Sequence, residues 1–338
     1  MKTKEQCLEI LGSGLVERVE GVLSERKIDD STIARVLDYL ALHKQTFPYI
    51  DIENHAKNMC DNLKESIDFR GLKDSFRGLF KQKNYGFATG HSVVINARPL
   101  KFVLPSKQYN VMIDALIRHE LDHIATTHYK SFSSQEEYRD YLLKNTKEYE
   151  ELFDQKLNAE IVEKAVEQNA SSRFIDWVRD SQTGEMKSTP KKRLVTKKIG
   201  VDCDKYEHVG SEAFNEGVTA YKMKKMDKFA GQGGVLCQSG YILGEEVVGH
   251  FAKHIGEEEL IRMQSEGDFG GIVELYKHST GRSGAFVKQM LEKLESQKHK
   301  TAFHKLFAQV RYGLSGKMDK ATQQKFDEIV SGDSCLED

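Results

Sequence analysis

Apolar residues recur with helical spacing along most of this 338-residue chain, and only four prolines interrupt the pattern. Roughly the first 80 residues have the pattern of several short amphipathic helices. A segment from about Gln108 to Tyr129 is apolar on more than one face, which predicts a helix inside a domain. Another helix is expected to begin near Glu212, and further helices follow towards the C-terminus. The chain is therefore predicted to be mostly helical.

Strand patterns are short and few. The β-branched run Ser92–Asn96 predicts a strand, and the apolar run Leu100–Leu104 follows it before a proline. Further along, Phe174–Val178 and Arg193–Thr196 flank a turn segment that contains Gly184, which suggests a β-hairpin. These segments predict a small sheet, so we expect an α+β fold class that is mostly helical.

A strongly charged helical segment runs from Ser134 to about Asn169. Ser134 is followed three residues later by Glu137, which indicates a capping box at the start of this segment. With the hairpin that follows, the segment predicts a helix-hairpin unit at about residues 131–205.

Composition and charge restrict the classes of partner that the protein is expected to bind. Fifty Lys and Arg residues against 52 Asp and Glu leave a net charge of -2, which removes the whole-protein electrostatic case for nucleic acid or an acidic membrane. Basic residues concentrate between Lys187 and Lys198, where a solvated strand edge is the usual explanation. We therefore expect no nucleic-acid or membrane partner, and the sequence leaves the oligomeric state open.

Cysteine usage and the N-terminus indicate the compartment. The five cysteines are scattered without a C-x-x-C pair, which is typical of a reduced intracellular protein and disfavours cysteine as a metal ligand. The N-terminal segment lacks the unbroken apolar stretch of a secretory signal, and the chain has no run of about 18 to 20 apolar residues. A cytoplasmic protein is expected, with export by a specialised system left open.

The clearest chemical motif is H-E-x-x-H, within the segment Arg118–His123 of the apolar helix. His119 and His123 are four residues apart, so their rings project from one helix face and can bind one ion at about 2.0 to 2.1 Å. Glu120 follows the first histidine and can reach a water on that ion, as a general base would. Burial of these groups on an apolar helix favours a metal, because unpaired buried polar groups cost about 1 to 3 kcal/mol each.

A third ligand must come from another part of the chain. His128 is nearest, but five residues separate it from His123, which places it on a different face of the helix. We therefore expect His128 to be a helix-end or surface histidine.

The segment Asn215–Tyr221 reads Asn-Glu-Gly-Val-Thr-Ala-Tyr. An H-E-x-x-H motif followed by Asn-Glu on a later helix resembles the glutamate-zincin (gluzincin) metallopeptidases, the thermolysin-like group. The pattern Asn-Glu-Gly-x-Thr-x-Tyr is close to a form seen in bacterial intracellular members. The resemblance extends over roughly residues 85–281.

This resemblance implies a zincin-like fold with a small sheet beside the H-E-x-x-H helix. It implies that Glu216 joins His119 and His123 as the third Zn²⁺ ligand, and that Glu120 is the catalytic base. A strand such as 93–96 would resemble the zincin edge strand, where the backbone of a peptide substrate could pair.

Two positions depart from the pattern of the family. Thermolysin-like enzymes usually have an aspartate four residues after the glutamate ligand, where it supports a histidine ligand, and this chain has Ala220 there. Support is then expected from Asn215, Thr126 or a backbone carbonyl. The spacing between His123 and Glu216 is also longer than in thermolysin, and the helix-hairpin unit would fill it. Asp122 makes the motif similar to that of peptide deformylases, but Cys60 does not match their cysteine ligand motif.

A hydrogen-bond donor for the transition state is expected opposite the metal. Tyr241 follows the glycine-rich segment 231–234, where a loop could bring it over the metal, and we prefer it to Tyr221, which lies off the ligand face. His208, His250 and His254 are weaker candidates. The glycine-rich segment lacks the Gly-Lys-Ser/Thr ending of a phosphate-binding loop.

We predict a Zn²⁺-dependent metallopeptidase that acts on a peptide or protein. The alternatives are a catalytically inactive zinc-binding protein that acts as a peptide-binding or regulatory module, and a metal-free helical scaffold. The expected regions are an N-terminal helical region (1–84), a zincin-like catalytic region (85–240) and a C-terminal helical region (241–338).

Overall fold

The computed structural model describes residues 1–69, 86–88, 91–95, 106–179, 184–198, 211–229, 242–296 and 318–331. Several predicted features lie outside these residues. They are the strand at Leu100–Leu104, the glycine-rich segment 231–234, His208 and Tyr241.

Four helices form the N-terminal region: α1 (Lys4–Leu11), α2 (Ser13–Glu25), α3 (Asp30–Thr46) and α4 (Ile52–Asn62). Side chains of Thr3, Asp29 and Asp51 accept hydrogen bonds from the first-turn amides of α1, α3 and α4, so local residues determine where these helices begin. The apolar faces of the four helices pack into one core. The predicted series of short amphipathic helices is therefore confirmed over residues 4–62, and the part of the prediction on residues 70–80 lies outside the described residues.

A three-stranded sheet follows, made of β1 (Asp68–Phe69), β2 (Gly86–Ala88) and β3 (Val93–Ile95). The strand order is β1-β3-β2, with β3 parallel to β1 and antiparallel to β2. All three residues of β3 are buried. The prediction that this strand is the sheet edge is wrong, because β3 pairs on both sides and β2 is an outer strand.

Helix α5 (Ser106–Thr126) carries the H-E-x-x-H motif and packs against α4, β2 and β3. It begins two residues and ends three residues earlier than predicted. At its end Asn62 Nδ2 donates to the carbonyl oxygens of Ile124 and Thr127 at 2.9 and 2.8 Å, which satisfies carbonyls at the helix end. The chain then enters strand β4 (His128–Phe132). Nearly every residue from Met112 to Asp122 is buried, as the apolar pattern predicts.

The charged segment forms two helices, α6 (Gln135–Leu152) and α7 (Ala159–Arg173), with a break between them. Ser134 Oγ accepts from the Glu137 amide at 3.1 Å as predicted, but the Glu137 carboxylate accepts from the Ser133 amide rather than from that of Ser134. The capping box is therefore only half formed.

Three more strands follow, β5 (Ile175–Arg179), β6 (Met186–Pro190) and β7 (Leu194–Lys198). The hairpin pairs β5 with β6, whereas β7 pairs with β4 across a long chain separation. The predicted pairing of Phe174–Val178 with Arg193–Thr196 is therefore wrong. Lys191 and the two residues after it lie between β6 and β7 and redirect the chain.

Helix α8 (Ser211–Phe229) runs between two apolar cores. Phe214 and Val218 pack with the C-terminal helices, whereas Met223 and Met226 pack with the core of α1–α5. The C-terminal helices are α9 (Ile242–Ile255), α10 (Glu257–Glu266), α11 (Phe269–Thr280), α12 (Gly284–Ser296) and α13 (Lys320–Ser331). A third, smaller core joins α6, α7, β4 and β7.

The predicted class, mostly helical with a small sheet, is confirmed. Among the described helices, none combines the length and the apolar character needed to cross a membrane. The boundaries of the three predicted regions stay a prediction.

Candidate metal centre

Two histidines lie one turn apart on α5 with their rings turned towards each other. The ring centroids of His119 and His123 are 4.7 Å apart, and the Nε2 atoms are 3.1 Å apart. His119 is buried and His123 half-buried. Spacing of four residues on a helix brings the two nitrogens to one point, as the motif predicts.

Glu216 reaches the same point from α8. Its Oε2 lies 3.1 Å from His119 Nε2, and its Oε1 lies 3.3 Å from His123 Nε2. The carboxylate is 97 residues from His119 in sequence, so only the packing of α8 against α5 unites the three side chains. The two histidines hold the pKa of Glu216 well below its usual value, against the opposing effect of burial.

The three donors fit a zinc ion. Two donors bound at 2.0 to 2.1 Å in tetrahedral geometry are about 3.3 Å apart. The two Nε2 atoms are 3.1 Å apart, and each lies 3.1 to 3.3 Å from one of the two Glu216 carboxylate oxygens. Two imidazole nitrogens and one carboxylate oxygen are a common ligand set of catalytic zinc, with a fourth position left for water or substrate. His119, His123 and Glu216 could therefore hold this metal.

Glu120 lies beside this cluster and is buried. Burial raises the pKa of its carboxyl group to about 7, and the charge of Glu216 acts in the same direction, while His119 and a hydrogen bond from the Ala88 amide oppose the rise. A carboxyl group that titrates near neutral pH can both accept and donate a proton under ordinary conditions. Ala88 is the last residue of strand β2, so the outer strand of the sheet lies next to Glu120.

The hydrogen bonding of the candidate ligand His119 differs from the prediction. The Nδ1 atom of His119 is buried and has no hydrogen-bond partner among the described residues. Thr126 does not supply one, because its hydroxyl donates to the carbonyl oxygen of Asp122 at 2.8 Å. Ala220 is fully buried in the interior. No described carboxylate therefore orients His119 through Nδ1.

The other histidine and tyrosine candidates make structural contacts. His128 Nε2 donates to the carbonyl oxygen of Ser265 at 2.8 Å, and Tyr221 donates to Glu257 at 2.8 Å. His250 Nε2 lies 2.9 Å from the hydroxyl of Tyr276 in the C-terminal core. His254 lies beside His250 on α9, with ring centroids 4.7 Å apart. The structure groups none of these four with His119, His123 and Glu216.

A second group of polar residues, which no sequence motif indicates, is buried between α3, α4, α5 and α8. We name this group the buried polar cluster; it comprises Tyr39, His43, His55, Asp122, Thr219 and Lys222. Burial alone would raise the pKa of Asp122, but the charge of Lys222 and the neighbouring histidines hold it well below its usual value. In the sequence, the sign of this cluster is one charged residue at a buried position on each of the two helices that carry the candidate metal ligands, Asp122 on α5 and Lys222 on α8.

Comparisons with protein-family models, with curated proteins and with solved structures give no match to this chain.

Proposed function

We propose that this protein is a zinc-dependent metallopeptidase with a zincin-like arrangement around its metal site. The observation that carries the proposal is the convergence of His119, His123 and Glu216 from two helices, with Glu120 beside them. The small sheet packed on α5 also supports a zincin-like arrangement. Zinc, when bound, polarises a substrate carbonyl and lowers the pKa of water to about 7.

Glu120 is the general base in this proposal. Its buried carboxylate accepts a proton from the attacking water and then donates it to the leaving amine as the peptide bond breaks. The amide of Ala88 donates a hydrogen bond to this carboxylate and so restricts its position.

Strand β2 is the proposed docking edge for the substrate. It pairs with β3 on one side, and no further strand pairs with it among the described residues. An extended peptide can add to such an edge through main-chain hydrogen bonds. Because Ala88 of this strand contacts Glu120, a peptide paired with β2 would lie close to the proton acceptor.

The replacement Glu120→Gln tests the proposed mechanism. We expect it to keep one equivalent of zinc, because Glu120 is not a ligand, and to lower peptide hydrolysis by at least about 100-fold, the lower range for general-base catalysis. Metal content is measured by elemental analysis, and cleavage by mass spectrometry on a mixture of unstructured peptides. Glu163→Gln, on the exposed face of α7, is the matched control and should cleave like the wild type.

Full activity of the Glu120→Gln variant would contradict the mechanism. If the wild-type protein binds zinc and binds peptides of the mixture without cleaving them, the second candidate function holds: a zinc-binding module that binds peptides without turnover. The unpartnered Nδ1 of His119 and the alanine at position 220 favour this alternative. Absence of any bound divalent metal would reject both and leave the metal-free scaffold.

A further inference from the structure

Asp122 is the centre of the buried polar cluster. Its Oδ1 accepts a hydrogen bond from the Tyr39 hydroxyl at 2.7 Å and lies 2.7 Å from the Lys222 ammonium. Its Oδ2 accepts from the Thr219 hydroxyl at 2.9 Å. All four side chains are fully buried. The carboxylate is therefore surrounded by donors from two other helices, α3 and α8.

These contacts join the same two helices that carry the metal ligands. Asp122 directly precedes His123 on α5, while Thr219 and Lys222 follow Glu216 by three and six residues on α8. Three and six residues are about one and two helical turns. A shift of α8 along α5 would therefore move Glu216 and break the contacts of Asp122 at the same time.

A buried ion pair resists such a shift strongly. Removing or displacing one partner leaves an uncompensated charge in the interior, which is far more unfavourable than the loss of an exposed ion pair. Lys222 is further restrained because its ammonium also donates to Gln264 Oε1 on α10 at 3.0 Å. The geometry of the pair is thus determined from three helices.

Lys222 also occupies a second group of residues that could otherwise hold a metal ion. His43, His55 and Asp122 have donor atoms within 4.8 Å of one another, much like the candidate metal centre. The ammonium of Lys222 already lies against Asp122, so a divalent ion there would be repelled at close range.

We propose that Asp122, Thr219 and Lys222 are positioning residues, which hold Glu216 in register with His119 and His123, and that Lys222 is the resident cation of the second donor group. The inference rests on the proposed function for the identity of the metal centre. It predicts that the chain binds one zinc ion, and that the three ligands are arranged before the ion arrives.

Zinc affinity of the full-length protein, measured by competition with a chelator, tests this inference. We expect Lys222→Met to weaken zinc binding by about 10- to 100-fold, the usual effect of losing a group that orients a ligand. Thr219→Val removes one hydroxyl while keeping the shape of the side chain, and should weaken binding in the same direction by a smaller factor. The visible absorption spectrum of the Co²⁺-substituted variants should change as well, because it reports ligand geometry.

Leu23→Ala is the matched control. Leu23 lies on α2 in the same apolar core, and its side chain has no polar contact to remove. We expect this variant to lose stability and yet to keep the zinc affinity and Co²⁺ spectrum of the wild type. If Lys222→Met does not fold, Thr219→Val decides the question.

The outcomes separate this inference from the proposed function. Wild-type affinity and an unchanged Co²⁺ spectrum in both Thr219→Val and Lys222→Met would overturn the positioning role while leaving the metal centre intact. A second zinc equivalent in the wild type that His43→Ala removes would overturn the role of Lys222 as resident cation. A wild-type protein that binds no zinc would overturn the proposed function and this inference together.

Discussion

His43 is fully buried, and neither of its ring nitrogens has a hydrogen-bond partner among the described residues. Its ring stacks on that of His55 with centroids 4.4 Å apart and lies near Phe47. Burial holds the pKa of His43 well below its usual value, so the ring is neutral. This histidine therefore contributes packing while leaving two polar atoms unsatisfied.

Replacing His43 by leucine tests this view of the residue. Because an unsatisfied buried polar group costs about 1 to 3 kcal/mol, His43→Leu should leave the free energy of unfolding within about 1 kcal/mol of the wild type or increase it. His55→Leu should be destabilising by about 1 to 3 kcal/mol, since His55 Nε2 lies 2.7 Å from the Tyr39 hydroxyl. Urea unfolding measures both values. A large loss in His43→Leu would indicate that the ring binds a group of its own.

At the scale of elements, the position of α8 depends on how closely it approaches α9. A Cβ atom on Gly217 would lie 2.6 Å from the carbonyl oxygen of Gly244, so the two helices can pack this tightly only with glycine at the contact. Gly217 directly follows the candidate ligand Glu216. The contact with α9 thus fixes the position of Glu216 from one side of α8. Asp122, on α5, restrains α8 from another side.

The replacement Gly217→Ala should push α8 away from α9. Overpacking of this kind is destabilising by about 1 to 3 kcal/mol, and we expect zinc affinity to fall as well because Glu216 moves with its neighbour. Thermal unfolding and chelator competition measure the two effects.

Gly249→Ala is the control for this prediction. A Cβ atom at Gly249 would lie 3.8 Å from a ring carbon of Tyr221, which is an ordinary contact. Alanine is a better helix former than glycine by about 0.8 to 1.0 kcal/mol, so this variant should be as stable as the wild type or more stable. Equal zinc affinity in Gly217→Ala and the wild type would show that the ligand tolerates the shift.

At the scale of the whole molecule, buried histidines make stability depend on pH. Burial lowers the pKa of His55 to about 3, and the charge of Lys222 acts in the same direction, while Asp122 opposes it. The groups that face His55 are Tyr39, His43, Asp122, His128 and Lys222. In the unfolded chain this histidine titrates at about 6.5. Between about pH 6.5 and 3, the unfolded state therefore binds a proton at His55 that the folded state does not bind.

The free energy of unfolding therefore increases with pH over this range. The contribution of His55 to stability is fully present above about pH 6.5 and is lost as the pH falls towards 3, at up to about 1.4 kcal/mol per pH unit. Urea unfolding of the metal-free protein between pH 7.5 and 5 should show this loss. His55→Gln keeps a donor for Tyr39 and should reduce the slope, with the contribution of His43 left in place, whereas the exposed control His278→Gln should not change it. An unchanged slope in His55→Gln would contradict the prediction.

The spacing of apolar residues predicts some helices and strands of this fold and misses others. Helices α1 to α5 follow from apolar spacing because each buries one face or all faces within a nearby core. The end of α5 was misplaced because Asn62, which satisfies its last carbonyls, lies on another helix. The hairpin was mispaired because β7 finds its partner in β4, more than 60 residues earlier by the register Phe132–Leu194, and no local signal carries that information.

By itself, the sequence determined that this protein is mostly helical and that His119, Glu120 and His123 share one turn of a buried helix. Both are local properties, since the period of the helix alone decides which side chains meet. Only the tertiary structure decided that Glu216 meets the two histidines, that β2 rather than β3 is an edge of the sheet, and that Asp122 pairs with Lys222. These depend on how helices and strands far apart in the chain pack, and such packing is set by many weak contacts at once, which no short motif records.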